Sequence, residues 1–398
     1  MCNFLIEYFI LSRKSRQNDW TLLMTKKFFL IVFSGLFFLN VSFAKVNFKG
    51  QFSGTVVANQ DRYKDQFIGM RYIPELFITT NSNFDFDISL NSYSNYYGTS
   101  LSDYQTESKV KMYRLWLRYS QEQYEIRFGL QKINFGPALL LRSLMWFDRT
   151  DQRDPLQLTD GVWGLLLRYY FLNNANIWLW TLYGNNKTKG WEIFPTAKTV
   201  PEYGARIQLP LIGGELAAIA HFRKAQLGKK FILNQGIKSS NFHETRWALD
   251  GKWDVGVGIW FEAATVHQHE GTIPLNYQTM ITIGSDYTFP IGNGLHLLGE
   301  QFQLKYSNKI FRNGEKLDFS AILFDYPLGL IDQIFGFVYY DWKNKDFYRL
   351  FRWQRTYDNW SWHLMVFWNP ERNQLPGEMN SQMVFSGKGL MLIAVLNH

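Results

Sequence analysis

The feature that most constrains this chain is a two-residue period in its apolar side chains. Phe84, Phe86, Ile88 and Leu90 alternate with Asp85, Asp87, Ser89 and Asn91. Tyr124, Ile126, Phe128 and Leu130 alternate with Glu125, Arg127, Gly129 and Gln131, and Tyr203, Ala205, Ile207 and Leu209 with Gly204, Arg206 and Gln208. Trp163, Leu165, Leu167 and Tyr169 share one parity and Arg168 takes the other. Successive side chains of a strand point to opposite faces, so each run predicts a strand with one apolar face. Beyond residue 44 no 18 consecutive apolar residues occur, so no spanning helix is expected.

An apolar face repeated over so many strands needs something apolar to meet. Aromatic residues make up 18% of the 398 residues, yet mean hydropathy is only -0.22. A soluble all-β protein would have to bury those rings in one core, and single cores stop growing at about 250–300 residues. A transmembrane barrel resolves the conflict, because outward residues meet lipid and inward ones meet water. Tyr96-Tyr97, Tyr169-Tyr170-Phe171, Tyr339-Tyr340-Asp341-Trp342 and Trp360 with Trp362 fall where strands would cross the headgroup level.

The connections alternate between short and long. Short ones are expected near 81–83, 120–121, 173–174, 210–214, 251, 290–294, 327–330 and 358–359. Longer ones are expected near 58–66, 98–107, 133–159, 185–200, 224–242, 268–275, 307–313, 342–345 and 370–378. Short periplasmic turns and long outer loops are the barrel pattern. Nine outer loops and eight inner turns, with both termini periplasmic, predict an all-β, antiparallel up-and-down transmembrane barrel of about 18 strands, 16 being the alternative.

The N-terminus divides in two. Met24-Thr25-Lys26-Lys27, the apolar run from Phe28 to Leu39, and Val41-Ser42-Phe43-Ala44 read as the charged, apolar and cleavage regions of a signal peptide over 24–44. Residues 1–23 read as an upstream mis-start or extended leader, and 45–398 as the barrel. Removing five basic and two acidic residues from the chain's 42 and 34 leaves 37 and 32, a net +5. It also removes Cys2, the only cysteine, which suits an oxidising compartment. The chain ends on His398, where barrels of this kind end on Phe or Trp.

The connection 133–159 stands apart. It runs Ile133-Asn134-Phe135-Gly136-Pro137, Leu139-Leu140-Leu141-Arg142, Met145-Trp146-Phe147-Asp148-Arg149 and Asp151-Gln152-Arg153-Asp154-Pro155. A loop this long is usually functional or disordered, and its Leu, Trp and Phe argue against disorder. The barrel lumen offers a place to bury them. The loop is therefore expected to fold inward as a constriction, with Arg142, Asp148, Arg149, Asp151, Arg153 and Asp154 as candidate pore residues. An outer loop whose charges face water is the alternative.

At these residues the chain resembles the alginate-export-like and related 18-stranded porins. The matching text is Arg127-Phe128-Gly129-Leu130-Gln131, Phe135-Gly136, Asp148-Arg149 and Asp160-Gly161-Val162-Trp163-Gly164, about a tenth of the chain. The resemblance implies a pore with an inward loop, and does not imply alginate. Leu130 stands where that family carries Arg, which removes one lumen contact the resemblance would imply.

Parity assigns the lumen wall. Basic candidates are Lys49, Arg71, Arg127, Arg168, Arg206 and Arg223. Acidic ones are Glu75, Asp85, Asp87, Glu125, Glu215, Glu262 and Asp318. A wall of both signs favours polar, hydrated solutes, and structural ion pairs bracing the wall are the competing reading. Glu300 or Asp286, with His221, His243 or His296, could be imagined in a hydrolase, and His267-Gln268-His269 as a metal pair. No third ligand and no Gly-rich, Cys-cluster or nucleic-acid motif accompanies them.

The expectation is a non-enzymatic outer-membrane channel for small hydrophilic solutes, without cofactor or metal. Its partners would be outer-membrane lipid and lipopolysaccharide, the solutes themselves and the barrel-assembly machinery, and no nucleic acid. A non-conducting structural or polysaccharide-binding barrel is the alternative.

Overall fold

The computed structural model describes residues 45–60, 66–80, 83–98, 104–227, 241–269, 276–310, 312–370 and 385–398. The leader and signal-peptide expectations fall on 1–44, outside the described residues.

Eighteen strands follow one another: β1 (Lys45–Asn59), β2 (Gln66–Thr79), β3 (Phe84–Gly98), β4 (Tyr104–Ser120), β5 (Tyr124–Gln131), β6 (Val162–Tyr170), β7 (Asn176–Leu182), β8 (Glu202–Leu211) and β9 (Gly214–Gln226). Then come β10 (Asn241–Asp254), β11 (Gly258–Gln268), β12 (Tyr277–Phe289), β13 (Leu295–Ser307), β14 (Glu315–Pro327), β15 (Asp332–Asp341), β16 (Asp346–Thr356), β17 (Trp360–Trp368) and β18 (Lys388–Asn397). Each pairs antiparallel with its chain neighbours. β1 pairs with both β2 and β18, so Gly54 lies between Met70 and Ala394 and the sheet closes without an edge. The closed 18-strand count agrees with the sequence reading, and the connections alternate broadly as expected, except that the turn expected near 251 falls at 255–257, residue 251 lying inside β10, and the 342–345 connection is no longer than the short 328–331 one. The C-terminus is stitched to β1: Gly50 and His398 exchange backbone hydrogen bonds of 2.9 Å, and the His398 ring stacks on Tyr72.

The two faces follow the parity. Phe128, Ile207, Leu249 and Val56 are each about half exposed on the outside. Asp85, Asp87, Glu125 and Arg206 are buried on the inside. Asp318 breaks this assignment. Its neighbour Phe319 points inward and is fully buried, so Asp318 carries the outward parity, where its carboxylate accepts Gln303 Nε2 at 2.8 Å.

The inside is not uniformly polar. From β13 round to β1 the inward residues are mostly apolar: Phe302, Phe319, Phe337, Leu350, Phe367, Ile393 and Val57 join one buried cluster. That cluster also takes in Phe135, Leu141, Leu144, Trp146 and Phe147 of the β5–β6 connection and inward residues of β6, β7 and β9–β12, such as Leu166, Trp180, Ile219 and Met280. Burying each such side chain is worth roughly 1.5–3 kcal/mol. The charges of both signs that parity assigned to the wall are thus interleaved with inward apolar residues, Leu166, Trp180, Ile219 and Met280 among them, on the remaining strands too.

Candidate functional site

The β5–β6 connection leaves the wall after Gln131 and crosses the lumen to β11–β13, six to eight strands away. A segment without ladder partners must satisfy its backbone N–H groups elsewhere. Two carboxylates from the far wall do so. Glu300 accepts from Leu139 N at 2.7 Å, Leu140 N at 3.0 Å and Leu141 N at 2.6 Å, and from Trp260 Nε1 at 3.2 Å. Glu262 accepts from Ala138 N at 3.0 Å and Leu144 N at 2.8 Å. Between them Thr282 Oγ1 donates to Leu141 O at 2.5 Å, and its oxygen lies 2.7 Å from Ser143 Oγ. Gly136 permits the approach. Its φ is +91°, and a Cβ there would come within 2.2 Å of Glu262 Oε1.

The loop's rings complete the anchor. Phe135 packs edge-on against Trp146 and Phe147 and stacks on Trp180 of β7. Trp180 Nε1 lies 3.2 Å from His221 Nδ1, and His221 Nε2 lies 3.2 Å from Glu202 Oε2.

A second connection also turns inward, which the sequence reading did not anticipate. In the 183–201 segment between β7 and β8, Trp191 Nε1 donates to Arg142 O at 2.8 Å and its ring stacks on Phe302. Gly190, at φ +41°, lies so close to Met145 O that a Cβ would overlap it at 1.6 Å. Lys189 reaches Glu202 at 3.0 Å and Glu192 at 3.2 Å. Glu192 also meets Arg223 at 3.2 Å and Arg246 at 2.9 Å, and Glu244 meets Arg223 at 2.6 Å and Arg246 at 2.8 Å. Three carboxylates thus neutralise three buried cations and tie the segment to β8–β10. Glu192, Glu202, Glu244 and Arg246 were not singled out in the sequence. Only the common parity of Glu202 with Arg206, and of Glu244 with Arg246, could have marked the three on strands.

All six candidate pore residues line one cavity of about 1140 Å³ between the two inward segments and the wall of β2–β4. Their states differ. Arg142 and Asp148 are buried and bonded to each other at 2.5 Å, with Arg142 Nη2 also donating to Phe135 O. Burial works against the Arg142 charge, but Asp148 outweighs it and holds the guanidinium pKa up. Arg153 forks onto Asp151 at 2.9–3.2 Å and covers the Phe385 ring. Arg149 reaches Thr188 Oγ1 at 3.1 Å, and burial lowers its pKa. Asp154 accepts Leu156 N at 2.9 Å, and burial raises its carboxyl pKa. Arg71 shares this cavity with Lys109, Lys187 and Glu107.

The other wall candidates lie outside the cavity lining and are mostly paired. Asp85 holds Arg118 at 2.5 Å. Glu125 sits among Arg127 at 2.9 Å, Arg168 at 3.7 Å and Arg118 at 3.8 Å. Arg206 is bidentate to Asp250, and Arg223 belongs to the buried network. Glu75 and Asp87 share the inward parity of β2 and β3. His267 and His269 have ring centroids 4.0 Å apart on the outward face, with His267 stacked on Tyr277.

No family model matches the chain, and no curated protein matches it. The fold is similar to solved outer-membrane barrels. Pseudomonas aeruginosa OccD3 (OpdP) aligns at TM-score 0.55 and 10% identity over 88% of this chain and 91% of its own. Pseudomonas aeruginosa OccK5 (OpdH) aligns at 0.52 and 12% over 89% and 98%. Acinetobacter baumannii OccAB1 aligns at 0.51 and 8% over 89% and 96%. At such identity the likeness is one of fold.

Proposed function

We propose that this chain is an outer-membrane channel for small hydrophilic solutes. The observation that carries this reading is the closed barrel with an apolar exterior and, beside an inward loop, a cavity whose lining carries charges of both signs. The exterior suits lipid, since hydrocarbon tolerates a barrel only when every backbone group is paired and the outward side chains are apolar. The short-turn end, which carries Lys45 and His398, would face the periplasm, and the long-loop end would face outward toward lipopolysaccharide. Folding into the membrane would need the barrel-assembly machinery. Solutes would enter the cavity past Arg71, Lys109 and Asp154, between charges of both signs. Arg142, Asp148, Arg149, Asp151, Arg153 and Asp154 would form the rim of the constriction. No alginate or other named cargo is implied.

Planar-bilayer recording of the purified, folded protein tests the reading. Stepwise conductance is expected, and its absence would sink the proposal. Deleting 139–154 is expected to raise unit conductance, and unchanged conductance would refute the constriction. The non-conducting alternative has one observation in its favour, the burial of the loop's Phe135, Leu141, Leu144, Trp146 and Phe147 in one apolar cluster with inward residues of the wall. It is the reading that silent bilayers would support.

A further inference from the structure

In the middle of β13 and β14 polar side chains come to the outward face. Their inward residues Phe302, Leu304, Phe319 and Ala321 are apolar and buried. Their outward residues include Gln301, Gln303, Asp318 and Ser320, paired across the strands as Gln301 with Ser320 and Gln303 with Asp318. Gln303 Nε2 donates to Asp318 Oδ1 at 2.8 Å, Ser320 Oγ to Gln301 Oε1 at 2.5 Å, and Trp342 Nε1 to Ser320 Oγ at 2.8 Å. Gln301 nevertheless stays exposed. Among the described residues its amide NH2, and the Gln303 side-chain carbonyl, are left for a partner outside the chain.

Depth makes this unusual. On the adjacent β12, Tyr277 and Tyr287 face outward ten residues apart. They pair with Ser307 and Leu297 of β13. Ten residues of tilted strand span about 24 Å along the barrel axis, close to the height of an apolar band. Gln301 and Gln303 lie midway, opposite Ile283 and Ile281. Hydrocarbon offers an amide no hydrogen-bond partner, and a polar group there is costly. The surroundings are smooth. Gly299 and Ser285 are small, Ile283 and Ile322 are each 58% exposed, and no outward ring interrupts β12 or β13 between the two tyrosine rows.

We infer that the outward face of β12–β14 is where two copies of this chain meet in the membrane, with Gln301 and Gln303 at its centre. This rests on the membrane reading above. The occupant must reach mid-depth and supply hydrogen bonds there, which a lipid tail does not. Copies inserted the same way round are related by an axis along the membrane normal, so each residue meets its counterpart at its own depth. An amide carries both donor and acceptor and pairs with itself, as a lone charge would not. Asp318 lies on the β15 side of the glutamines, on the face it shares with Lys316. Small residues let the two walls approach closely.

Gln301→Cys tests this, because Cys2 is the only native cysteine and lies outside 45–398. Oxidation in isolated outer membranes is expected to give an adduct of twice the monomer mass. The unsubstituted chain and Ile207→Cys on β8 are expected to give none. Heat-modifiable migration verifies that each variant is folded. Gln301→Leu with Gln303→Leu is expected to lower the dimer-to-monomer ratio several-fold in mild detergent. Folded Gln301→Cys that stays monomeric, or that links to a different protein, overturns the interface while leaving the channel reading intact. A chain absent from the membrane fraction overturns both.

Discussion

At the residue scale, two buried carboxylates do more for the site than any candidate pore charge. Glu300 and Glu262 hold five backbone N–H groups of the inward loop. Glu300→Gln keeps the shape and loses the charge, so a destabilisation of roughly 1.5–3 kcal/mol is expected. Urea unfolding followed by heat-modifiable migration would measure it, with noisier open-channel current as an independent sign. Arg142→Ala would strand Asp148 in the same interior and should cost about 3–5 kcal/mol. Asp154 has a defined pH signature. Burial raises its native pKa above the unfolded value, so the native state binds the proton more tightly. Its charge therefore opposes folding at neutral pH, and that opposition fades on acidification. Asp154→Asn is expected to be the more stable form at neutral pH, by a margin that shrinks as the pH falls through the raised native pKa and vanishes below the ordinary carboxylate range. A constant difference between the two unfolding midpoints would show that Asp154 titrates normally.

At the scale of elements, two connections rather than one turn into the lumen. The 183–201 segment lies against the β5–β6 loop at Gly190, where the backbones touch. Gly190→Ala must move one segment off the other, because both the positive φ and the Met145 carbonyl exclude a Cβ. The expected result is a loss of about 1–3 kcal/mol, the usual cost of such backbone strain, together with a changed unit conductance. A substitution with neither effect would mean that the two segments are not coupled. The sequence marked the first loop because its Leu, Trp and Phe needed burial. The second offered Trp191 as its apolar signal but hid because its other anchors, Lys189 and Glu192, are charged, and a Lys or Glu in a connection ordinarily faces water.

At the scale of the whole molecule, the exterior is the test of where the barrel resides. Leu249 is half exposed in the middle of β10, flanked by Ala218 and Ala263. An arginine there should cost about 2–4 kcal/mol in a bilayer and almost nothing in water. Refolding yield into lipid vesicles compared with unsubstituted protein would read this directly. A Leu249→Arg chain that folds as well as its parent would contradict a lipid-facing wall.

Strand number, order and closure were legible in the sequence, since a two-residue period and alternating connection lengths are local properties. Lumen parity was legible for the same reason at Asp85, Glu125, Arg127, Arg168, Arg206 and Arg223. It failed at Asp318, where β14 turns its polar side outward. Parity says which residues share a face but not what that face meets. That Glu300 grips a loop from β5, that Trp191 of the β7–β8 segment stacks on Phe302 of β13, and that β13–β18 contribute to a packed interior are contacts across the barrel. Distance along the chain carries no trace of them, so only the closed tertiary structure could decide them.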